Sequence, residues 1–76
     1  MVYAYVMVKA NTGEADRLRD DISSLDGVVE AYIVAGDVDI IATVDVETPA
    51  EVKDIAATAM QDIAGVEDTQ TYIAMD

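Results

Sequence analysis

The sequence has no cysteine, histidine, tryptophan or phenylalanine, and only one proline and four glycines. Without cysteine there is no disulfide and no CxxC metal-transfer motif. Without histidine or cysteine, the nucleophile–base arrangements of triads and thiol enzymes are excluded. Neither a Walker A nor a GxGxxG pattern occurs, so a phosphate-cradling loop is not expected. The residues therefore predict no catalytic constellation, no metal centre and no cofactor.

Basic residues are also scarce, because 4 Lys and Arg stand against 16 Asp and Glu, for a net charge of −12. Such a surface repels phosphate backbones and anionic lipids, so we expect neither nucleic acid nor membrane as a direct partner. Abundant Asp and only two Lys suit a salt-rich cytoplasm that screens self-repulsion, which indicates a halophilic source. No signal peptide or bilayer-length apolar run is visible, so we expect a cytoplasmic protein.

At 76 residues the chain is expected to form one domain, residues 1–76. A domain of this size buries only about 60% of its unfolded surface and is marginal alone. Its apolar content of 53% favours oligomerisation as the remaining source of stability.

The apolar periodicity predicts six elements. Strands are expected over 2–10, 28–35, 38–46 and 66–74, and helices over 13–25 and from Pro49 to Gly65. Thr12 and Thr48 are the expected N-caps, and Glu51 completes a capping box with Thr48. The segment Ala35-Gly36-Asp37 is expected to be the tight turn of a β-hairpin. This order predicts an α+β, ferredoxin-like βαββαβ sandwich, with a four-stranded antiparallel sheet ordered 4-1-3-2 and both helices on one face.

The sheet face away from the helices is predicted to be apolar. Alternation places Tyr3, Tyr5 and Met7 of the first strand there, together with Ile41 of the third, and turns Val38 towards the helices. A face of this composition is poorly suited to water and favours an interface. We therefore expect a homodimer or a larger even-numbered assembly.

The hairpin GDVDIIATVDV and the later segment IAGVEDTQTYI together resemble the effector-binding (RAM) domain of the Lrp/AsnC family. The family pattern, a Gly-x-x-Asp hairpin and a last strand of the form gVxxTxT, is met by Gly36, Asp39, Gly65, Val66, Thr69 and Thr71. The resemblance covers nearly the whole chain and is to the stand-alone form, without a helix-turn-helix. It implies a regulatory domain whose sheets pack face to face in dimers that assemble further, with small amino acids bound between dimers near the hairpin. Our leading hypothesis is a sensor that also mixes with full-length relatives.

The resemblance implies a ligand site that consists of Gly36, Asp37, Val38, Asp39, Thr69 and Thr71. In such a site Asp39 would accept the ligand ammonium, and backbone amides around Gly36 would donate to its carboxylate. Val38 occupies a position that is often aromatic in the family. Each of these residues also has an explanation that involves no ligand. Gly36 can serve only the turn, Asp39 can be an acidic surface residue at a strand end, and the threonines can reflect β-propensity alone.

Two other functions remain open from the sequence. One is a dimeric ferredoxin-like barrel enzyme of the small monooxygenase or isomerase type, for which tyrosines are the only candidate catalytic residues. The other is a purely structural, ACT-like partner domain. Binding of an amino acid would separate the sensor from both.

Overall fold

The computed structural model describes residues 2–11 and 13–75, which form one four-stranded antiparallel sheet covered by helices. The elements are β1 (Val2–Ala10), α1 (Ala15–Ser23), β2 (Val28–Ile33), β3 (Ile40–Val46), α2 (Pro49–Lys53) with a π-helical continuation (Asp54–Ala59), and β4 (Val66–Ile73). The strand order is β2-β3-β1-β4, the predicted order read from the other edge. The ferredoxin-like α+β fold is therefore confirmed.

The core lies between the sheet and the helices. Alternate residues of the two central strands face it, and the helices add one stripe each, so that the buried side chains are Ala4, Val6, Val8, Leu18, Ile22, Ile40, Ala42, Val44, Val52, Ala56 and Met60. The predicted alternation of β1 and of β3 from Ile40 onwards is confirmed, since a strand places successive side chains on opposite faces.

Helix α1 presents Leu18 and Ile22, four residues apart, to the sheet. It begins at Ala15, two residues later than expected, and Glu14 occupies the N-cap position without a capping side-chain hydrogen bond. The predicted cap, Thr12, lies outside the described residues.

Helix α2 begins as the sequence predicts, with Pro49 at its first position and Thr48 as N-cap. The Thr48 hydroxyl accepts a hydrogen bond from the Glu51 backbone N–H at 3.3 Å. The Glu51 carboxylate accepts from the backbone N–H of Glu47 at 2.9 Å, so the reciprocal bond reaches one residue before the cap. Two orphan donors at the start of the helix are thereby satisfied.

The helix widens after Lys53 into the π-helical turn, which the sequence analysis did not predict. Met60 donates its N–H to the Ile55 carbonyl at 2.8 Å, five residues back. Val52, Ala56 and Met60, spaced four apart, all lie buried against the sheet. Residues four apart lie on one face of a helix, so this buried stripe continues from α2 into the π-helical turn.

The two helix-to-strand junctions repeat one geometry. Gly27 and Gly65 have φ values of 95° and 101°, which non-glycine residues rarely adopt. Each glycine carbonyl accepts a 2.9 Å hydrogen bond, from the Asp45 N–H for Gly27 and from the Asn11 N–H for Gly65. The two βαβ halves therefore repeat the same geometry where helix passes into strand.

Candidate functional site

The connection between β2 and β3 differs from the predicted tight hairpin. Strand β2 ends at Ile33 and β3 begins at Ile40, so six residues, 34–39, form a loop rather than a short turn. This hairpin loop is closed by a 2.9 Å hydrogen bond from the Val34 N–H to the Asp39 carbonyl. The expected strand bounds 28–35 and 38–46 are therefore too long on both sides of the loop.

Asp39 gives the loop its shape by bonding to β1. Its backbone N–H donates to the Val8 carbonyl at 2.9 Å, and its Oδ2 accepts from the Ala10 N–H at 2.8 Å. The β1–β3 pairing ends at Val8 and Ile40, so the Ala10 N–H lies beyond this ladder and needs another partner. One oxygen of Asp39 is thus committed to joining the loop to β1.

The expected orientation of Val38 towards the helices is wrong. Val38 lines a groove with Met7 and Lys9, two residues of β1 that alternate outward from the core. Residues 34–39 do not continue the strand, because Asp39 is tied to β1, so strand alternation does not extend to Val38.

A groove of about 230 Å³ lies beside the hairpin loop, at one end of the sheet. This hairpin groove is lined by Met7, Lys9, Asp37, Val38, Asp68, Thr69 and Gln70. Three predicted site residues, Asp37, Val38 and Thr69, therefore lie together in it. Lys9 and Asp68 were not predicted as site residues, because they become neighbours only through the β1–β4 pairing, where their Cα atoms are partners.

The remaining predicted site residues lie elsewhere. Thr71 is paired with buried Val6 and lines a second groove, of about 360 Å³, between β4 and α2. The lining of this helix groove also includes Lys53, Ala57, Gln61 and Thr69. The Thr69 hydroxyl points into this side, where it accepts from Gln61 Nε2 at 2.9 Å. Gly36 is exposed at φ 157°, with open space where a Cβ would lie.

The hairpin groove contains charges of both signs. Arg17 pairs with Glu14 and Asp21, and Arg19 pairs with Asp20. In the described part of the chain Lys9 makes no such ion pair, although it lies across from Asp68. Asp68 Oδ1 accepts the Thr69 N–H at 2.9 Å, which holds that carboxylate in place. The groove thus offers one ammonium and two carboxylates, those of Asp37 and Asp68.

The outer face, the sheet surface away from the helices, is aromatic. Tyr3, Tyr5, Met7 and Ile41 lie on it as predicted, and the register adds Tyr72 opposite Tyr5 and Tyr32 opposite Ile41. Tyr5, Tyr32 and Tyr72 are 40%, 52% and 56% exposed. The Tyr3 and Tyr5 rings meet edge to face, with centroids 5.5 Å apart. Three half-exposed tyrosines on one sheet face form an extended amphipathic surface.

A third and larger pocket, of about 440 Å³, lies at the opposite end of the sheet. Its rim carries Asp26, Asp45, Glu47, Glu51 and Asp54 around an apolar floor that includes Ile55. Among residues 2–11 and 13–75, no three acidic side chains converge as metal ligands would. None of the helices described is long and apolar enough to cross a membrane.

The sequence of the whole described fold matches one family. A model of the Lrp/AsnC ligand binding domain matches residues 3–76. The chain belongs to this family. Its members are regulatory ligand-binding domains, and the resemblance inferred from the hairpin and the last strand is confirmed. No curated protein matches the sequence.

Solved structures share the fold along the full chain. TTHA0845 from Thermus thermophilus is 29% identical with a TM-score of 0.94, and the match covers 100% of this chain and 95% of that one. AsnC of E. coli is 21% identical with a TM-score of 0.89, over 99% of this chain and 51% of AsnC. The NMB0573/L-Met complex of Neisseria meningitidis is 13% identical with a TM-score of 0.85, over 99% and 50%. The last two similarities show the fold alone.

Proposed function

We propose that this Lrp/AsnC ligand-binding domain is an amino-acid sensor that modulates transcription or metabolism without itself contacting DNA. The observation that carries the proposal is the hairpin groove, which brings Lys9 together with Asp37 and Asp68. An amino-acid zwitterion needs both a cation for its carboxylate and an anion for its ammonium. A neighbour of the same fold was solved with L-Met, which agrees with a ligand of this class.

The six predicted site residues take different parts in this proposal. Asp37, Val38 and Thr69 line the groove. Asp39 lies outside the groove lining, and its part is to hold the loop on β1 through the Ala10 N–H. Gly36, exposed in the same loop, and Thr71, in the helix groove, lie outside the lining of the hairpin groove and have no assigned contact with the ligand.

We also propose that two copies pair through the outer face. Tyr5, Ile41 and Tyr72 lie close together on it by register, and aromatic side chains are enriched at protein interfaces. The hairpin groove opens at the margin of this face, because Met7 belongs to both. Pairing would leave the groove accessible at the rim, and association with DNA-binding relatives would connect ligand binding to transcription.

The family match favours the sensor over the two alternatives. The matching family consists of regulatory ligand-binding domains, whereas the barrel enzyme and the ACT-like partner rest only on the shared ferredoxin-like architecture. A shared fold does not determine function, so the charged groups of the hairpin groove support the sensor more strongly than the shared architecture supports either alternative.

A thermal-shift screen of the twenty amino acids in molar salt tests the proposal. An amino acid that binds the folded protein raises its melting temperature, with about 2.7 kcal/mol of stabilisation at a concentration one hundred times its Kd. The D-enantiomer of the best ligand and equimolar ammonium acetate are the controls, since neither should reproduce the shift. If no amino acid raises the melting temperature at millimolar concentration, the sensor proposal is contradicted.

A further inference from the structure

The charges that line the hairpin groove do not balance. One ammonium, Lys9, is set against two carboxylates, Asp37 and Asp68. A neutral amino acid carries one positive and one negative charge, so it would satisfy Lys9 and a single carboxylate. The second carboxylate would then face a bound ligand without a cation, in a groove that the ligand partly closes to water.

The sheet register indicates which protein groups would bind the α-ammonium and the α-carboxylate of the ligand. Lys9 and Asp68 are directly opposed across β1 and β4. The α-carboxylate and α-ammonium of an amino acid are attached to the same carbon, so they suit two opposite charges on neighbouring strands. Asp68 is also oriented by the Thr69 N–H, which keeps its carboxylate on this side of the strand.

Asp37 is then left for the far end of the ligand. It belongs to the hairpin loop, whereas Lys9 and Asp68 belong to the sheet, and the apolar side chains of Met7 and Val38 line the same groove. A groove that combines apolar side chains with a further carboxylate fits an aliphatic stem that ends in a cation. We propose, on the basis of the sensor function above, that the ligand is an α-amino acid with a second cationic group on its side chain.

The field of the whole protein acts in the same direction. With a net charge of −12, the molecule attracts cations and repels anions from every side. A diamino acid, with a net charge of +1, is favoured over a neutral amino acid by this field, and an acidic amino acid is disfavoured. Salt weakens this long-range contribution, so molar salt isolates the direct contacts within the groove.

Calorimetry of the full chain in molar salt, with L-lysine, L-norleucine and 1,5-diaminopentane, tests the inference. Norleucine has the same stem as lysine without the terminal ammonium, and diaminopentane has both ammonium groups without the carboxylate. Lysine should bind about tenfold more tightly than either, the typical value of one charge-assisted contact.

Variants of the two carboxylates separate their roles. Asp37→Asn should abolish the preference for lysine over norleucine. Asp68→Asn should weaken both ligands by a similar factor. Asp26→Asn removes the same charge at the opposite end of the sheet and should change neither.

Other outcomes would contradict either the diamino acid, the amino-acid assignment or the sensor proposal. If norleucine binds as tightly as lysine, or if Asp37→Asn keeps the preference, the diamino acid is wrong while the sensor proposal stands. If diaminopentane matches lysine, Lys9 does not hold a carboxylate, and the assignment to an amino acid is wrong. If no amino acid binds, the sensor proposal fails, and this inference fails with it.

Discussion

At the scale of single residues, Asp39 has the largest structural role in the candidate site. Its carboxylate accepts the Ala10 N–H, 29 residues away in sequence, and its own N–H donates to Val8. Both bonds join the hairpin loop to the central strand β1. The loop residues Asp37 and Val38 therefore reach the groove because Asp39 is fixed behind them.

We predict that Asp39→Ala destabilises the protein by about 1–3 kcal/mol, because the half-buried Ala10 N–H loses its acceptor. Asp39→Asn should cost less, since the amide oxygen still accepts. Denaturant unfolding in molar salt measures both. The control is Asp37→Ala, an exposed carboxylate of the same loop, which should stay within about 0.5 kcal/mol of the parent. Equal stability of Asp39→Ala and Asp37→Ala would show that the bond to Ala10 contributes nothing.

The faces of most strand residues could be predicted, because alternation is a local property of a continuing strand. Tyr5 faces outward and Val6 inward as the pattern indicates. The side-chain direction of Val38 could not be predicted in this way. The strand alternation ends at the bond between Asp39 and Ala10, and Ala10 is far away in sequence. Lys9 and Asp68 were missed for a related reason: their pairing depends on the β1–β4 register, which no local pattern specifies.

At the scale of elements, helix α2 has a capped N-terminus and continues into a π-helical turn. Thr48, Pro49 and Glu51 define the start through local hydrogen bonds, so their pattern was readable in the sequence. The π-helical turn at 54–59 could not be predicted, because no capping side chain marks its start. Alanine-rich sequence is equally compatible with an ordinary α-helix.

We predict that Thr48→Ala lowers the free energy of unfolding by about 1 kcal/mol, the usual cost of an N-cap. The short regular part of α2, five residues, gives little other local support for the helix start. Chemical denaturation monitored by circular dichroism measures the loss. Thr58→Ala, at an exposed position in the π-helical turn, is the matched control and should be near neutral. A Thr48→Ala variant as stable as the control would mean that the 3.3 Å capping bond is energetically silent.

At the scale of the whole molecule, charge and surface composition are the dominant features. Twelve excess negative charges are spread over a body of 34 × 22 × 17 Å. At 0.01 M salt the Debye length is about 30 Å, comparable with the long axis, so every acidic residue repels the others. At 1 M it is about 3 Å, and repulsion between separated charges is nearly absent.

We therefore predict that the melting temperature rises between 0.01 M and 1 M sodium chloride by at least about 4 °C, the shift that corresponds to ~1 kcal/mol for a domain of this size. Differential scanning calorimetry measures it. Potassium chloride is the control for screening, since it should act like sodium chloride at equal ionic strength. A melting temperature that does not change with salt would contradict the halophilic interpretation.

The outer face leads to a prediction about assembly. Light scattering in molar salt should give at least twice the 8.1 kDa mass of one chain. Tyr5→Asp and Ile41→Asp each place a charge among the aromatic side chains of this face and should shift the protein towards monomer or unfold it. Thr58→Asp introduces the same charge on the helix side and should keep the parent mass. A parent protein that stays monomeric at high concentration would leave the outer face without the proposed role.

The central claim, an amino-acid site in the hairpin groove, is tested most directly by titrating the ¹⁵N-labelled protein with L-lysine and following its backbone amide shifts. We predict that the largest changes occur at Lys9, Asp37 and Val38 and at Asp68 to Gln70, which line the groove. Asp26, Gly27 and Glu51, which surround the acidic pocket at the other end of the sheet, should change little. Saturable shifts concentrated at that acidic pocket, or no saturable shifts with any amino acid, would contradict the account.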